Sequence, residues 1–346
     1  MSYKESYGVH NNGCGHDYSL SRNPYGCSPR AVEAARETLG RASLYPHLEH
    51  ALKEEIAAAH GVPSGNIMLA AGSIQAIDLL ADVLLAPGDK VVASELTFEE
   101  FLYSAARKSP HVVRAPMAAD FGLDLDAFAG LCDGACVAYV VNPNNPTGRT
   151  ADAGEISSLA ARLQDGYLIV DEANIEFDPR ARSCLEYFRP DGNIIVARTF
   201  SKAYGLAGLR VGYAVVPGAV IEKFEAGYPP YKCAEAALAA ACEALRDQEF
   251  LRSSVAKVRL EYARFAGALD RMGLAYVPSD VHTVLLRRPA GFATLNSFVR
   301  FLNSYDVEVV RADKADGVRV VVARAEDMDF LAGVLEKACN PGAAGL

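Results

Sequence analysis

The sequence predicts an α/β protein: a large domain with a mostly parallel sheet covered by helices on both faces, then a smaller α+β C-terminal domain. Two patterns predict it. From about residue 31 to 217, short and nearly continuous apolar runs alternate with stretches of three-to-four-residue apolar spacing. Parallel strands buried on both faces read in the first way and amphipathic helices in the second. After Pro217 the texture changes to long, Ala-rich, charged helical stretches and then a strand–helix–strand–strand–helix series. At 346 residues the chain exceeds the roughly 250–300 residues at which single cores stop growing, so two unequal lobes are expected. The boundaries read as an N-terminal arm over 1–30 that joins the small domain, a large domain over 31–228 and a small domain over 229–346.

In chain order, residues 31–39 and 48–60 carry helical spacing, and 67–71 form the first apolar run. Residues 74–85 return to helical spacing behind Gly72-Ser73, and 90–93 form the second strand. Strand 137–141, helix 151–163 and strands 168–171, 194–198 and 211–216 follow, each strand bounded by Gly, Pro or polar turn residues. Residues 234–272 are helical, 285–287, 307–310 and 318–322 are the small-domain strands, and helices 295–304 and 328–338 cover one face.

Composition narrows the function. The chain is 51% hydrophobic and 22% charged, as in an ordinary globular protein, and its net charge of −9 argues against nucleic acid or acidic membrane as partners. A local cationic pocket for a small anion stays compatible with that balance. The opening residues lack an apolar signal core and no apolar run reaches bilayer length, so a cytoplasmic location is expected. Eight cysteines, at 14, 27, 132, 136, 184, 233, 242 and 339, lack paired ligand spacing. Cys132 and Cys136 come closest, with no second pair to complete a site, so free thiols and no metal are expected.

Ligands of such sheets gather at the carboxyl ends of the parallel strands. Three of those ends carry the polar residues. Strand 137–141 runs into Asn142-Pro143-Asn144-Asn145-Pro146-Thr147-Gly148, strand 168–171 into Asp171-Glu172-Ala173-Asn174, and strand 194–198 into Thr199-Phe200-Ser201-Lys202. A lysine held half-buried beside other cations loses its charge easily and can form a Schiff base with a carbonyl. Asp171 suits a pyridinium nitrogen, which needs a carboxylate to keep its proton. A phosphate needs helix-start N–H groups, small hydroxyls and a guanidinium, and Gly72-Ser73-Ile74, Thr199, Ser201 and Arg210 offer them. Taken singly, Ser73 reads equally as a helix cap and Asp171 as a strand-end aspartate.

The runs 144–148, 171–173, Ser201-Lys202 and Gly208-Leu209-Arg210-Val211-Gly212 resemble the fold-type-I, pyridoxal-phosphate-dependent aminotransferases. Within them the sequence is most similar to the histidinol-phosphate aminotransferase-like group, which includes threonine-phosphate decarboxylase; Arg22-Asn23-Pro24-Tyr25-Gly26, Tyr45-Pro46, Phe177 and Tyr228-Pro229-Pro230-Tyr231 stand where that group has similar runs. The resemblance covers nearly the whole chain and implies pyridoxal 5'-phosphate as cofactor. It implies Lys202 as the Schiff-base lysine and proton carrier, Asp171 as the partner of the ring nitrogen, Asn145 as donor to the ring hydroxyl oxygen and Phe101 stacked on the ring. It implies that Ser73, Ile74, Thr199, Ser201 and Arg210 hold the phosphate, with Tyr45 reaching it from the other subunit of a homodimer. Arg319 is then the partner of the substrate carboxylate, Arg311 that of a distal phosphate, and Asn23 and Tyr231 line the substrate site.

That pattern is broken in three places. Asn174 replaces a tyrosine, and an amide donates without ionising as a phenol does. Arg22 replaces an acidic residue, and Lys232-Cys233 replaces small polar residues near the expected substrate mouth. The expected reaction is transfer of an amino group between an amino acid or amino-phosphate, such as histidinol phosphate, and a 2-oxo acid. Asn174 leaves a decarboxylase, eliminase or cyclase as the alternative. No basic helix-turn-helix-like segment supports a DNA-binding regulator.

Overall fold

The computed structural model describes residues 15–228 and 230–339. Cys14, Pro229 and the expected arm residues 1–14 lie outside the described residues, as do the last residues of the small domain, 340–346. In chain order the first strands are β1 (His16–Asp17), β2 (Ile67–Ala70), β3 (Lys90–Ser94), β4 (His111–Ala115), β5 (Val137–Val141), β6 (Tyr167–Asp171), β7 (Ile194–Thr199) and β8 (Gly212–Val215). Seven of them form one sheet in the order β2-β8-β7-β6-β5-β3-β4. The run β4-β3-β5-β6-β7 is parallel throughout.

Strand β8 pairs antiparallel with both β7 and β2, where its apolar run had read as a parallel strand. Burial on both faces, not direction, is what such a run encodes. Here the chain returns through a short loop without a crossover helix, and that return forces the antiparallel pairing. The same loop carries Lys202. Strand β4 was not expected from the sequence: it lies at the sheet edge, where His111 is exposed and Arg114 interrupts the apolar run.

Helices α1 (Pro29–Leu39), α2 (Glu49–His60), α3 (Ser73–Leu84), α4 (Glu100–Ala105), α5 (Leu125–Ala129), α6 (Ala153–Ser158) and α7 (Gly218–Gly227) flank or follow the large sheet. The stretch 234–272 divides into α8 (Glu235–Arg246) and α9 (Gln248–Met272) at Asp247, whose carboxylate accepts the Phe250 N–H and caps α9. The C-terminal part adds β9 (Tyr276–Val277), β10 (Thr283–Arg287), α10 (Leu295–Asn303), β11 (Val307–Glu308), β12 (Val310–Ala312), β13 (Gly317–Val321) and α11 (Ala325–Cys339). Its sheet runs β12-β13-β10-β9, antiparallel at every pairing. No helix among the described residues is long and apolar enough to cross a membrane.

Along β5, Ala138 and Val140 face one buried cluster while Val137, Tyr139 and Val141 face another, so the sheet is covered on both sides. The first cluster continues from Val170 and Val196 to Phe298 and Leu335, joining the two sheets through one core. The arm is tied to the C-terminal part: β1 pairs in parallel with β11 as a separate two-stranded sheet, and the Val321 N–H of β13 donates to the Tyr18 carbonyl. From there residues 19–23 run across the carboxyl ends of the large sheet.

Candidate active site

Register sets the site. Val141, Asp171 and Ala197 stand side by side on β5, β6 and β7, so the three polar segments that follow leave the sheet together. The Asp171 side chain is buried; its Oδ1 accepts the Ala173 N–H at 3.0 Å and its Oδ2 accepts the Tyr139 hydroxyl at 3.2 Å. Burial pushes the carboxyl up to about 6, against the stabilising Ala173 N–H, Tyr139 hydroxyl and Lys202 charge. On the next residue, Glu172 accepts from Arg198 Nε at 3.1 Å and Nη2 at 2.9 Å and from the Cys184 N–H at 2.7 Å. These bonds satisfy its buried carboxylate and pin the end of β6 that presents Asp171.

Lys202 is half-buried, and its Nζ donates to the Ser21 carbonyl at 3.0 Å. Burial, then the Arg319 charge, push the amine down to about 8; Asp171 opposes and Arg210 adds to the effect. A substantial share of amine is therefore neutral near physiological pH, as a nucleophile requires. Arg319 is buried; its Nη1 donates to Asn145 Oδ1 at 3.0 Å and its Nη2 to the Ser19 carbonyl. With Oδ1 so engaged, the Asn145 amide keeps its N–H groups for donation.

The elements expected to hold a phosphate also meet. Thr199 Oγ1 lies 3.0 Å from Ser201 Oγ, which accepts Arg210 Nη1 at 3.1 Å, while Arg210 Nη2 reaches the Ala71 carbonyl at 3.3 Å. Gly72 precedes helix α3 with φ +87°, and a Cβ there would stand 2.5 Å from Arg210 Nη2. A Cβ on Gly212 would stand 2.6 Å from the Ser73 nitrogen. Two glycines thus let a helix N-terminus, two hydroxyls and a guanidinium close on one point, a donor set matched to a phosphate dianion. Arg210 itself sits at φ 53°, a left-handed conformation that is uncommon outside glycine. The carboxylate, amine and phosphate cradle together fit pyridoxal phosphate.

Other expected residues stand differently. Phe101 is fully buried and stacks on Tyr139 at 5.0 Å between ring centroids, beneath the residue that contacts Asp171. Asn23 is buried and donates to the Ala203 carbonyl at 2.7 Å and Ser254 Oγ at 2.9 Å, clipping the arm to the Lys202 loop. Arg311 lies exposed, engaged by Asp313 and Asn296. Tyr45 and Tyr231 are exposed and stack on each other at 5.1 Å. Lys232 folds over the Phe224 ring at 4.3 Å and Cys233 is buried with its thiol toward the Ala70 carbonyl, so neither lines an open mouth; Arg22 is exposed. Asn174 is buried, with no hydrogen-bond partner for its Oδ1 among the described residues. Sequence reasoning missed Tyr139, Ser21 and Ser19. A buried tyrosine needs a hydroxyl partner, which is a usable signal for Tyr139; a main-chain carbonyl leaves none.

The family model for aminotransferase class I and II matches residues 17–329. The chain belongs to that family. It is 35% identical over 275 residues to a histidinol-phosphate aminotransferase of Symbiobacterium thermophilum, covering 78% of this chain and 76% of the relative. It is 34% identical over 317 residues to that of Jannaschia sp., covering 89% and 87%. The crystal structure of the Sinorhizobium meliloti histidinol-phosphate aminotransferase in complex with pyridoxal-5'-phosphate superposes with a TM-score of 0.87 at 27% identity, covering 94% of this chain and 91% of that one. As a class I and II aminotransferase, the protein is a pyridoxal-phosphate-dependent transferase with the fold-type-I architecture.

Proposed function

We propose that this aminotransferase moves an amino group between an amino acid or amino-phosphate and a 2-oxo acid, with histidinol phosphate the first donor to try. The observation that carries the reading is a lysine amine near neutrality at adjoining strand ends with a buried carboxylate and a phosphate-shaped cradle. When bound, pyridoxal phosphate supplies an electron sink. Lys202 Nζ would hold it and would take and return the proton at the substrate α-carbon. Asp171 would keep the ring nitrogen protonated, and Asn145 would donate to the ring hydroxyl oxygen. Main-chain N–H groups of Ser73 and Ile74, with Thr199, Ser201 and Arg210, hold the phosphate. Arg319 takes the substrate carboxylate through its planar fork, exchanging its present hold on Ser19 and Asn145.

We further propose a homodimer in which the exposed Tyr45 reaches the neighbour's phosphate site, and the division of the chain near residue 228 into a large and a small lobe. A cytoplasmic setting fits the seven described cysteines, all free thiols. The decarboxylase, eliminase or cyclase alternative rests on Asn174 alone, and the relatives, aminotransferases by name, favour transfer. Adding a panel of amines to the loaded enzyme while following the cofactor spectrum and product mass tests the reading. Transfer converts the cofactor to its amine form and releases an oxo product, and a 2-oxo acid restores it. Loss of carbon dioxide with the starting spectrum retained would overturn it.

A further inference from the structure

Outside the elements already given roles, one buried group stands close to the reactive lysine. His282 lies just before β10, fully buried, its ring stacked on Phe177 at 3.7 Å and 19°. Its Nε2 stands 2.6 Å from Ser21 Oγ, and its Nδ1 has no hydrogen-bond partner among the described residues. Its main-chain carbonyl accepts the Val322 N–H at 2.8 Å, which fixes the residue to the C-terminal sheet.

Ser21 faces two ways. Its side chain meets His282, while its carbonyl accepts Lys202 Nζ at 3.0 Å. Two residues earlier, the Ser19 carbonyl accepts Arg319, and two residues later Asn23 donates to the Ala203 carbonyl beside Lys202. The segment 19–23 thus carries acceptors for both working cations, and His282 is its side-chain tether to the C-terminal sheet. We propose that His282 is a positioning residue for Lys202, acting through Ser21 to hold the carbonyl that receives the lysine amine.

The ring's surroundings agree with this role. Burial first, then the charges of Lys202 and Arg319, hold the imidazole well below its usual value, so it remains neutral and adds no third cation to the pair. Arg259, which donates to the Phe177 and Asp280 carbonyls, Glu176 and Asp178 on either side of Phe177, and Asp280 two residues before the ring are further charged groups on the elements around it. A neutral ring exchanging one hydrogen bond with a serine hydroxyl is a rigid tether, whereas a protonated one would repel the two cations the arm is there to hold. A carbonyl dipole stabilises an ammonium, so loosening it lowers the Lys202 pKa further.

The inference rests on Lys202 as the cofactor lysine, and the test separates the two. The full chain is stripped of cofactor and reloaded with pyridoxal phosphate from pH 6 to pH 10, following capture by absorbance and fixing the adduct with borohydride for peptide mass. Wild type is expected to load at Lys202 with a midpoint near the amine's value of about 8. Ser21→Ala and His282→Leu are each expected to move that midpoint down by about half a unit, a small fraction of the shifts buried groups undergo. The double variant moves it no further, because both act on one link. His282→Gln, whose amide reaches where Nε2 stands, restores most of the wild-type midpoint. Single variants at the wild-type midpoint, or shifts that add in the double variant, would overturn the role of His282. If His282→Leu fails to fold, Ser21→Ala and His282→Gln decide by the same criterion. A wild type that loads elsewhere than Lys202 overturns the site reading and this inference with it.

Discussion

Replacing Asp171 with asparagine is expected to stabilise the cofactor-free chain at neutral pH. The carboxyl is buried and pushed up to about 6 from an ordinary value of 3.8, chiefly by burial. Between those values the folded chain holds a proton that the unfolded chain has released. The stability this contributes is complete below pH 3.8 and is lost as pH rises through about 6. A shift of about two units at 1.36 kcal/mol each sets the loss at about 3 kcal/mol by pH 7.5. Asparagine resembles the protonated carboxyl: its oxygen still accepts the Ala173 N–H, and its amide donates to the Tyr139 oxygen. Urea unfolding of both proteins, stripped of cofactor, from pH 3.5 to pH 7.5 measures the difference. The curves should meet at the acid end and separate by on the order of 3 kcal/mol at the neutral end, with Asp171→Asn the more stable. With cofactor the ranking reverses, because the ring nitrogen loses its counter-charge and affinity falls. A variant that tracks wild type across the range, or is weaker at pH 7.5, would refute the desolvation argument.

Gly72→Ala should leave the melting temperature within a few degrees but weaken pyridoxal phosphate binding at least about tenfold, since its Cβ meets Arg210 Nη2 and its φ of +87° is strained for alanine; fluorescence titration measures this. Asn174→Tyr should move the pH titration of the loaded enzyme's visible band, and identical curves in the two proteins would remove Asn174 from cofactor tuning. Arg311→Met should change KM for a phosphorylated donor less than about threefold, because Asp313 and Asn296 already engage the guanidinium. Asp313→Ala, by releasing Arg311, should lower that KM.

The strands that build the site were legible because burial on both faces leaves continuous apolar runs, and the residues at the ends of β5, β6 and β7 followed from that. The direction of β8 was not, since direction depends on the length of the return and not on the apolarity of the strand. Helix α7 went unread because Pro217 and Gly218 look like a boundary, yet they begin the helix. Among the expected site residues, Lys202, Asp171, Arg210 and Asn145 are brought together at the carboxyl end of the large sheet. What the sequence could not display is the arm: its part is played by the carbonyls of Ser19 and Ser21, which every residue possesses. Arg311 was read by its charge, while its neutralisation depends on how a two-residue-distant aspartate and Asn296 fold back on it.

The arm also fixes when the site can exist during synthesis. Ser21 waits 181 residues for Lys202 and 261 for His282, and Ser19 waits 300 for Arg319. The large sheet can assemble as it leaves the ribosome, but the arm has no sheet to rest on until the final strands emerge. Once made, Lys202 therefore waits about 120 residues more, until the strands that seat the arm emerge, before the Ser21 carbonyl can be held beside it.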